Sequence, residues 1–253
     1  MRSKYFAKRN FLEMSREPLS YIFCLGFPLV MLAIMSVINN SIPEEAHMTL
    51  FQIQHIGPGI IIFGFTFVML FTCLSVATDR SNAFLIRLYA SPMKGVNFIT
   101  GYTLPMGLVC LVQAFITLVA CVILGFFMDY QFNIGYLLLD LVFLIPSIVL
   151  FVGFGLLFGT LFNEKAAPGL CSIVICLCGM LGGIWMDVEA ITGFFNKLCK
   201  VLPFYHCVKV SKLVCVGNLS DAMKPFLITL GYAVVVYIVA VFVFRKKMQN
   251  DLR

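Results

Sequence analysis

Residues 79–98 read DRSNAFLIRLYASPMKGVNF, a charged stretch between two long apolar runs. The runs on either side, residues 46–78 and 95–128, contain no Asp, Glu, Lys or Arg. Either run is long enough to cross the hydrocarbon core of a bilayer, which takes about 20 apolar residues. The sequence therefore predicts two membrane spans joined by a polar hinge, residues 79–98.

The composition of the whole chain supports a membrane protein. Of its 253 residues 61% are hydrophobic and 12% are charged, whereas about a quarter of the residues in a soluble domain are charged. We predict an all-α fold with six transmembrane helices in one domain, residues 18–253, after an N-terminal interfacial segment, residues 1–17. The predicted spans are residues 20–39, 56–78, 99–128, 141–162, 167–186 and 225–244.

Residues 1–17 combine basic with aromatic and aliphatic side chains. This composition suits a short helix along a membrane surface, although a basic tail that only fixes the topology would look the same. Pro18 is expected to end such a helix and to begin the first span. We expect the first span to be retained as an anchor, because no small-residue cleavage motif follows it.

Basic residues outside the spans predict the orientation of the chain, and the formal charge of +6 is assigned to this role rather than to nucleic-acid binding. Thirteen of the 18 Lys and Arg residues fall at the termini, in the hinge or at residues 163–165. Cytosolic segments carry an excess of such residues, so both termini are predicted to be cytoplasmic. The other five are expected to reach lipid phosphates from an outer segment, residues 187–224. They are Lys197, Lys200, Lys209, Lys212 and Lys224.

Segment 187–224 is too polar to cross a membrane but contains a helical pattern. Apolar side chains share one face of it: Phe194, Phe195, Leu198, Val201, Leu202 and Tyr205. We predict a re-entrant or interfacial helix at the outer surface that kinks or ends near Pro203. A disulfide among Cys199, Cys207 and Cys215 stays open, because it depends on whether this segment faces an oxidising compartment.

Asp140 is the one carboxylate that the sequence could place within a span. A carboxylate inside a membrane marks a functional site by default, so Asp140 is a candidate for the substrate path. However, residues 141–163 are already about 23 uncharged residues, enough to cross without it. We therefore expect Asp140 at the outer interface.

Two further features concern the glycines of the fifth predicted span and the histidines beside the first loop. The predicted fifth span contains Gly169, Gly179, Gly182 and Gly183, which permit close helix approach. Two histidines, His47 and His55, flank the first loop and are expected to be solvated rather than to bind a metal.

The sequence lacks the common nucleotide-binding and catalytic motifs. It contains no G-x-x-x-x-G-K-[ST] phosphate loop, no H-E-x-x-H, no G-x-S-x-G and no dinucleotide fingerprint. We expect no catalytic residue, cofactor or metal site in this chain, so any energy from nucleotide hydrolysis must come from another one. Within the hinge, Phe84 and Leu88 share a face of a short helix with Arg80 and Arg87 nearby, which suits either docking into a partner or lying on lipid.

Two stretches resemble type-2 ABC transporter permeases. Residues 84–93, FLIRLYASPM, match the L-x-R-L-x-x-[ST]-P pattern that follows the second span in that family. Residues 179–212 resemble the family signature before the last span, with Gly182 and Gly183 as its small-residue pair. The usual proline after the aromatic residue is replaced by Asp187, so the geometry of that turn departs from the family pattern.

This resemblance implies a dimeric permease that binds separate ATP-hydrolysing subunits, which hold the ATP and Mg. Phe84, Arg87 and Leu88 would form a cytosolic coupling helix, with Arg80 beside it, and the N-terminal helix would brace the same partner. Residues 194–205 would form an outer lid, and the cargo would pass between two permease copies or paralogues, lined by the first, second and fifth spans.

The leading hypothesis is a permease of an ATP-driven exporter in a bacterial cell membrane, moving an amphipathic drug, peptide or lipid-like compound. Short outer loops and apolar spans favour a lipid-soluble cargo. The alternatives are a polysaccharide-export permease, a non-transporting immunity or sensor subunit, and an ion-coupled secondary transporter. The last would need charged groups facing a cavity in the membrane, and Asp140 is the one candidate.

Overall fold

The computed structural model describes residues 2–41, 52–82, 95–128 and 130–251, and within these ranges the chain forms helices and turns without strands. The first half begins with α1 (Arg2–Ser15). The first span joins α2 (Pro18–Tyr21), a π-helical turn (Ile22–Gly26) and α3 (Phe27–Ser41). The next two helices are α4 (Ile53–Ser81) and α5 (Gly95–Phe127).

The second half contains α6 (Ile134–Phe143), α7 (Ile145–Leu161), α8 (Ala167–Leu181), α9 (Phe194–Val201), α10 (Pro203–Val216) and α11 (Leu219–Asp251). Pro18 opens α2 directly after α1 has ended, as the sequence predicts. Pro203 likewise occupies the first turn of α10, directly after α9, because proline there loses no intrahelical hydrogen bond.

Five apolar helical stretches of the described chain are long enough to cross a membrane. They are Pro18–Ser41, Ile53–Ser81, Asn97–Phe127, Ile134–Leu161 and Leu219–Lys247. The predicted fifth span corresponds to α8, whose 15 residues reach about 22 Å and fall short of a hydrocarbon core of about 30 Å. The apolar run continues in sequence to Met186, but the chain turns at Gly182 and Gly183, where φ is 76° at the second. The count of six spans therefore stays a prediction.

The fourth span begins earlier than predicted. Its first helix, α6, starts at Ile134, where the side chain of Asn133 accepts a hydrogen bond from the amide of Gly135. The pair α6 and α7 breaks at Leu144, just before Pro146. Asp140 consequently lies inside a helix rather than before its start, and hydrogen bonds from α10 hold the carboxylate there. The stretch Ile134–Leu161 has 28 residues and is longer than a hydrocarbon core requires, so the expected position of Asp140 at the outer interface stays a prediction.

The core lies between α4 and α7. Helix α7 packs along both α4 and α11, and α4 also contacts α5, α8 and α10. Gly155 and Gly159 allow the close approach, because an added Cβ would lie 2.6 Å from the Met69 carbonyl oxygen and 2.5 Å from that of Cys73. The two glycines of α8 differ: Gly169 has no atom within 4 Å of its Cβ position, whereas a Cβ on Gly179 would lie 2.6 Å from Nε1 of Trp185. Gly179 therefore makes room for an indole ring and not for a helix backbone.

Large apolar side chains cover the outside of the helix bundle. Exposed examples include Val30, Ile34, Val37, Leu104, Phe115, Ile123, Leu227, Val235 and Phe242. Such apolar outer faces suit contact with lipid rather than with water. All ten cysteines are free thiols, including Cys199, Cys207 and Cys215, which are buried at separate places, so the disulfide is not formed.

Candidate functional site

Helix α1 is docked on the first turns of α5. Its Phe6 ring lies edge-on to Phe98 and Tyr102, with centroid distances of 5.7 and 5.1 Å. Beside it, the side-chain amide of Asn10 donates to the carbonyl of Gly101 at 3.1 Å. The N-terminal segment is therefore a helix fixed to its own chain, and not a free basic tail.

The end of α4 is tied to α1 and α5 by an ion pair. Arg9 donates to both carboxylate oxygens of Asp79, with N–O distances of 2.8 and 3.0 Å, in the planar two-point geometry that guanidinium favours. The Tyr102 hydroxyl donates to Asp79 Oδ2 at 2.5 Å, and Asp79 is 6% exposed. Burial alone would lower the pKa of Arg9, but the hydrogen bond and charge of Asp79 raise it above its ordinary value.

Arg80, the next residue, fastens α4 to α7. Its guanidinium donates to the carbonyls of Gly159, Thr160 and Phe162 at the C-terminal end of α7. Those carbonyls have no partner in their own helix and carry partial negative charge, so a cation stabilises them. We call Arg9, Asp79, Arg80 and Tyr102 the hinge junction, because Asp79 and Arg80 are the first two residues of the hinge.

The predicted coupling residues divide between described and undescribed chain. Phe84, Arg87 and Leu88 lie outside the described residues. Arg80 is described, and its guanidinium turns to the end of α7. Within the junction it connects helices of its own subunit.

The predicted lid helix is split into two helices with different surroundings. In α9, Phe194, Leu198 and Val201 are exposed, and Phe194 is 81% exposed, which suits an apolar face in the membrane interface. Phe195 and Leu202 are half-buried. Tyr205, by contrast, belongs to α10 and is buried, where its hydroxyl donates to Glu189 at 3.0 Å. A single shared face is therefore wrong, because Pro203 starts a new helix with its own orientation.

Helix α10 is buried among α4, α6 and α11 and does not lie flat on the surface. Asp140 on α6 is fully buried against it, and accepts a hydrogen bond from the Ser211 hydroxyl at 2.7 Å. The Cys215 thiol lies 3.7 Å from the same carboxylate oxygen, while Oδ1 of Asp140 has no hydrogen-bond partner among the described residues. The carboxylate thus links α6 to α10 and is enclosed within one subunit.

Two lysines of segment 187–224 have partners within the protein, in contrast to the expected contact with lipid phosphates. Lys209 Nζ lies 2.6 Å from Glu189 Oε1, and Lys212 Nζ donates to the carbonyl of Gly183 at 3.0 Å. The reason is that α10 packs within the helix bundle, and the side of α10 that carries Lys209 and Lys212 lines a cavity of about 340 Å³. Residues lining this polar cavity include His55, Asp187, Val188, Glu189, Val208, Lys209, Lys212 and Leu213.

Burial and neighbouring charges shift the pKa of Lys212 in the cavity in opposite directions. Burial lowers the pKa of Lys212, and the charges of Asp187 and Glu189 offset that effect in part. A hydrogen bond from Lys209 holds the pKa of Glu189 below its ordinary value. Among the expected solvated histidines, His47 lies outside the described residues, and His55 is half-buried at the cavity wall.

The profile of the ABC-2 type transporter family matches residues 2–213. The chain belongs to this family. The match confirms the resemblance drawn from the hinge and signature motifs and makes the chain the membrane component of an ABC transporter, whose ATPase activity normally resides on a separate subunit. No curated protein matches the sequence.

Sequence reasoning missed the hinge junction of this ABC-2 permease. Arg9 and Asp79 are 70 positions apart, and each was assigned only a charge and a side of the membrane. One signal was available: Asp79 directly follows an uncharged run, and Tyr102 stands one turn inside the next. A carboxylate and a phenol at facing ends of successive spans are natural hydrogen-bond partners.

Proposed function

We propose that this chain is the permease of an ATP-driven exporter, with both termini in the cytoplasm of a bacterial cell and an amphipathic drug, peptide or lipid-like compound as cargo. The observation that carries this proposal is the hinge junction. An ATPase can move transmembrane helices only if the segment it binds is rigidly attached to them. Asp79 and Arg80, at the start of the hinge, provide such an attachment to α1, α5 and α7.

The junction suggests how force would pass through the subunit. An ATPase bound to residues 83–94 displaces the end of α4 when it closes on ATP. Helix α7 follows because Gly155 and Gly159 hold it against α4, and α1 and α5 follow through Asp79. The faces of two permease copies then rearrange together, and the path between them changes its access from one side to the other.

Phe84→Asp and Leu88→Asp variants are expected to lose the ATPase partner. A charged side chain on the apolar face of the coupling helix cannot enter a hydrophobic groove without a large desolvation cost. The measurement is co-purification from the native membrane, followed by identification of proteins with a phosphate-binding loop and an ATPase assay. We expect the unaltered chain to bring an ATPase whose rate responds to its cargo.

A matched control is Phe126→Asp, which alters an exposed phenylalanine at the other end of α5. It should retain the ATPase. If the Phe84→Asp variant reaches the membrane and still co-purifies with the partner, the coupling assignment is wrong. A partner whose activity no cargo changes would favour the immunity or sensor alternative.

A cysteine replacing Asn218 is expected to react with a membrane-impermeant thiol reagent added outside intact cells. Asn218 is exposed between α10 and α11, so the new thiol would be accessible. The native cysteines are first replaced, because Cys176 is exposed as well. Labelling that requires permeabilised cells would place this segment inside and overturn the proposed orientation.

A further inference from the structure

The polar cavity between α10 and the turn after α8 contains a cation without a carboxylate partner. In the described parts of the chain, Lys212 Nζ has one protein hydrogen bond, to the Gly183 carbonyl at 3.0 Å. An ammonium group has three donors, so two remain for another ligand. Lys209 differs, because its charge is neutralised by Glu189 at 2.6 Å and it also donates to the Tyr205 hydroxyl.

The other charged groups of the cavity make their close polar contacts with groups other than Lys212. Glu189 is paired with Lys209. Asp187 is exposed and accepts a hydrogen bond from the backbone amide of Glu189 at 2.9 Å. His55 on α4 stands close enough to Lys212 for their charges to interact. Lys212 is therefore the cation of the cavity that has no close ion pair among the described residues, although the charges of Asp187 and Glu189 act on it from farther away.

We propose that this cavity binds the oxyanion head group, a phosphate or carboxylate, of an amphiphilic ligand, with Lys212 as the anchoring cation and His55 as a second donor. A partly buried ammonium gains most from a counter-ion that also fills its free donor positions. The cavity of about 340 Å³ can hold a head group, and its apolar wall can contact an attached chain. The apolar wall consists of Val188, Val208, Leu213 and Val216.

The turn after α8 supports a built site at this position. Gly183 has φ of 76°, which turns its carbonyl toward Lys212, and an added Cβ would lie 3.2 Å from a Val188 methyl group. The proposal rests on the proposed function in one respect, namely that segment 187–224, and with it the cavity, faces the outside of the cell. It narrows the expected cargo, or a ligand that regulates its release, to compounds with an oxyanion.

Site-resolved acetylation of the purified chain in a non-ionic maltoside detergent tests the proposal. The probes are octyl phosphate, inorganic phosphate and, as the cationic counterpart, octyltrimethylammonium. At a concentration of about four times its Kd, a bound oxyanion should slow acetylation of Lys212 about fivefold, since only the unoccupied fraction reacts. Lys197 on the exposed α9 is the internal control and should react at an unchanged rate.

The probe pattern distinguishes the sources of the oxyanion. Protection by octyl phosphate alone supports an amphiphile head group, whereas protection by inorganic phosphate as well supports a site that also takes the free ion. Equal protection by octyltrimethylammonium, or no protection by either phosphate, would overturn the proposal.

Variants test the roles of the two residues through Trp185, the only tryptophan, which lies next to the cavity turn. Lys212→Arg should retain the fluorescence response to octyl phosphate, and Lys212→Gln should lose it. His55→Gln should weaken binding several-fold and serves if Lys212→Gln fails to fold. If folded Lys212→Gln binds octyl phosphate with unchanged affinity, Lys212 is not the anchoring cation. If folded His55→Gln does so, His55 is not the second donor. These measurements need no ATPase, so they can fail while co-purification succeeds, or the reverse.

Discussion

Replacing Gly159 with Val is expected to lower the yield of folded protein sharply. A Cβ at this position would lie 2.5 Å from the carbonyl oxygen of Cys73 and 2.8 Å from the Cβ of Val76. The carbonyl belongs to the backbone of α4 and cannot rotate away, so the two helices must separate. Overpacking of this kind costs about 3 kcal/mol. The measurement is the monodisperse fraction extracted from membranes and its Tm, which should fall by about 6–12 °C.

The matched control for Gly159 is Gly169→Val on α8. Its Cβ position has no atom within 4 Å, and the residue is exposed, so this variant should melt within a few degrees of the original chain. If Gly159→Val is extracted and melts like the unaltered chain, α4 and α7 are not as close as the structure has them. Any Gly159→Val protein that does fold should also have a weakened contact between α4 and Arg80's acceptors on α7, because the Gly159 carbonyl accepts a hydrogen bond from Arg80.

Five of the six predicted spans correspond to apolar helices long enough to cross a membrane, because an uncharged run of sufficient length has few alternatives there. Their ends are harder to predict. The apolar sequence of α8 continues beyond Leu181, but a glycine turn ends the helix. Helix α6 begins before Asp140, because α10 supplies a hydrogen bond to that carboxylate. Periodicity indicates which face of a helix is apolar, and it does not indicate which helix lies opposite.

The same limit explains the lysines of segment 187–224. Counting charges assigns them to a side of the membrane, and the simplest partner on that side is a lipid phosphate. The actual partners of Lys209 and Lys212 are Glu189 and the Gly183 carbonyl, which are 20 and 29 positions away and become neighbours only when α10 lies beside the segment that follows α8. The family, by contrast, was predictable, because the hinge motif is a local pattern that needs no tertiary contact.

Replacing Asp79 with Ala is expected to uncouple the permease from its ATPase and to destabilise it. The change removes the acceptor of two of the Arg9 hydrogen bonds and of the Tyr102 hydroxyl, at a place where Asp79 is 6% exposed, and leaves Arg9 with its exposed partner Glu13. Breaking a buried ion pair by removing one partner costs about 3 kcal/mol. We therefore expect a Tm about 6–12 °C lower and cargo-stimulated ATPase activity near its basal rate, while the ATPase still co-purifies.

Three further variants separate the contributions within the junction. Tyr102→Phe removes one hydrogen bond and should cost about 1 kcal/mol, and Arg9→Lys keeps the charge but loses the two-point geometry. Arg9→Ala leaves Asp79 buried without its cation, so alone it should be as harmful as Asp79→Ala. Combined with Asp79→Ala, it should add little, because the costly unpaired carboxylate is gone. If the two losses of stability simply add, Arg9 and Asp79 do not act as a pair, and the attachment of α1 to the hinge must lie in its apolar contacts with α5.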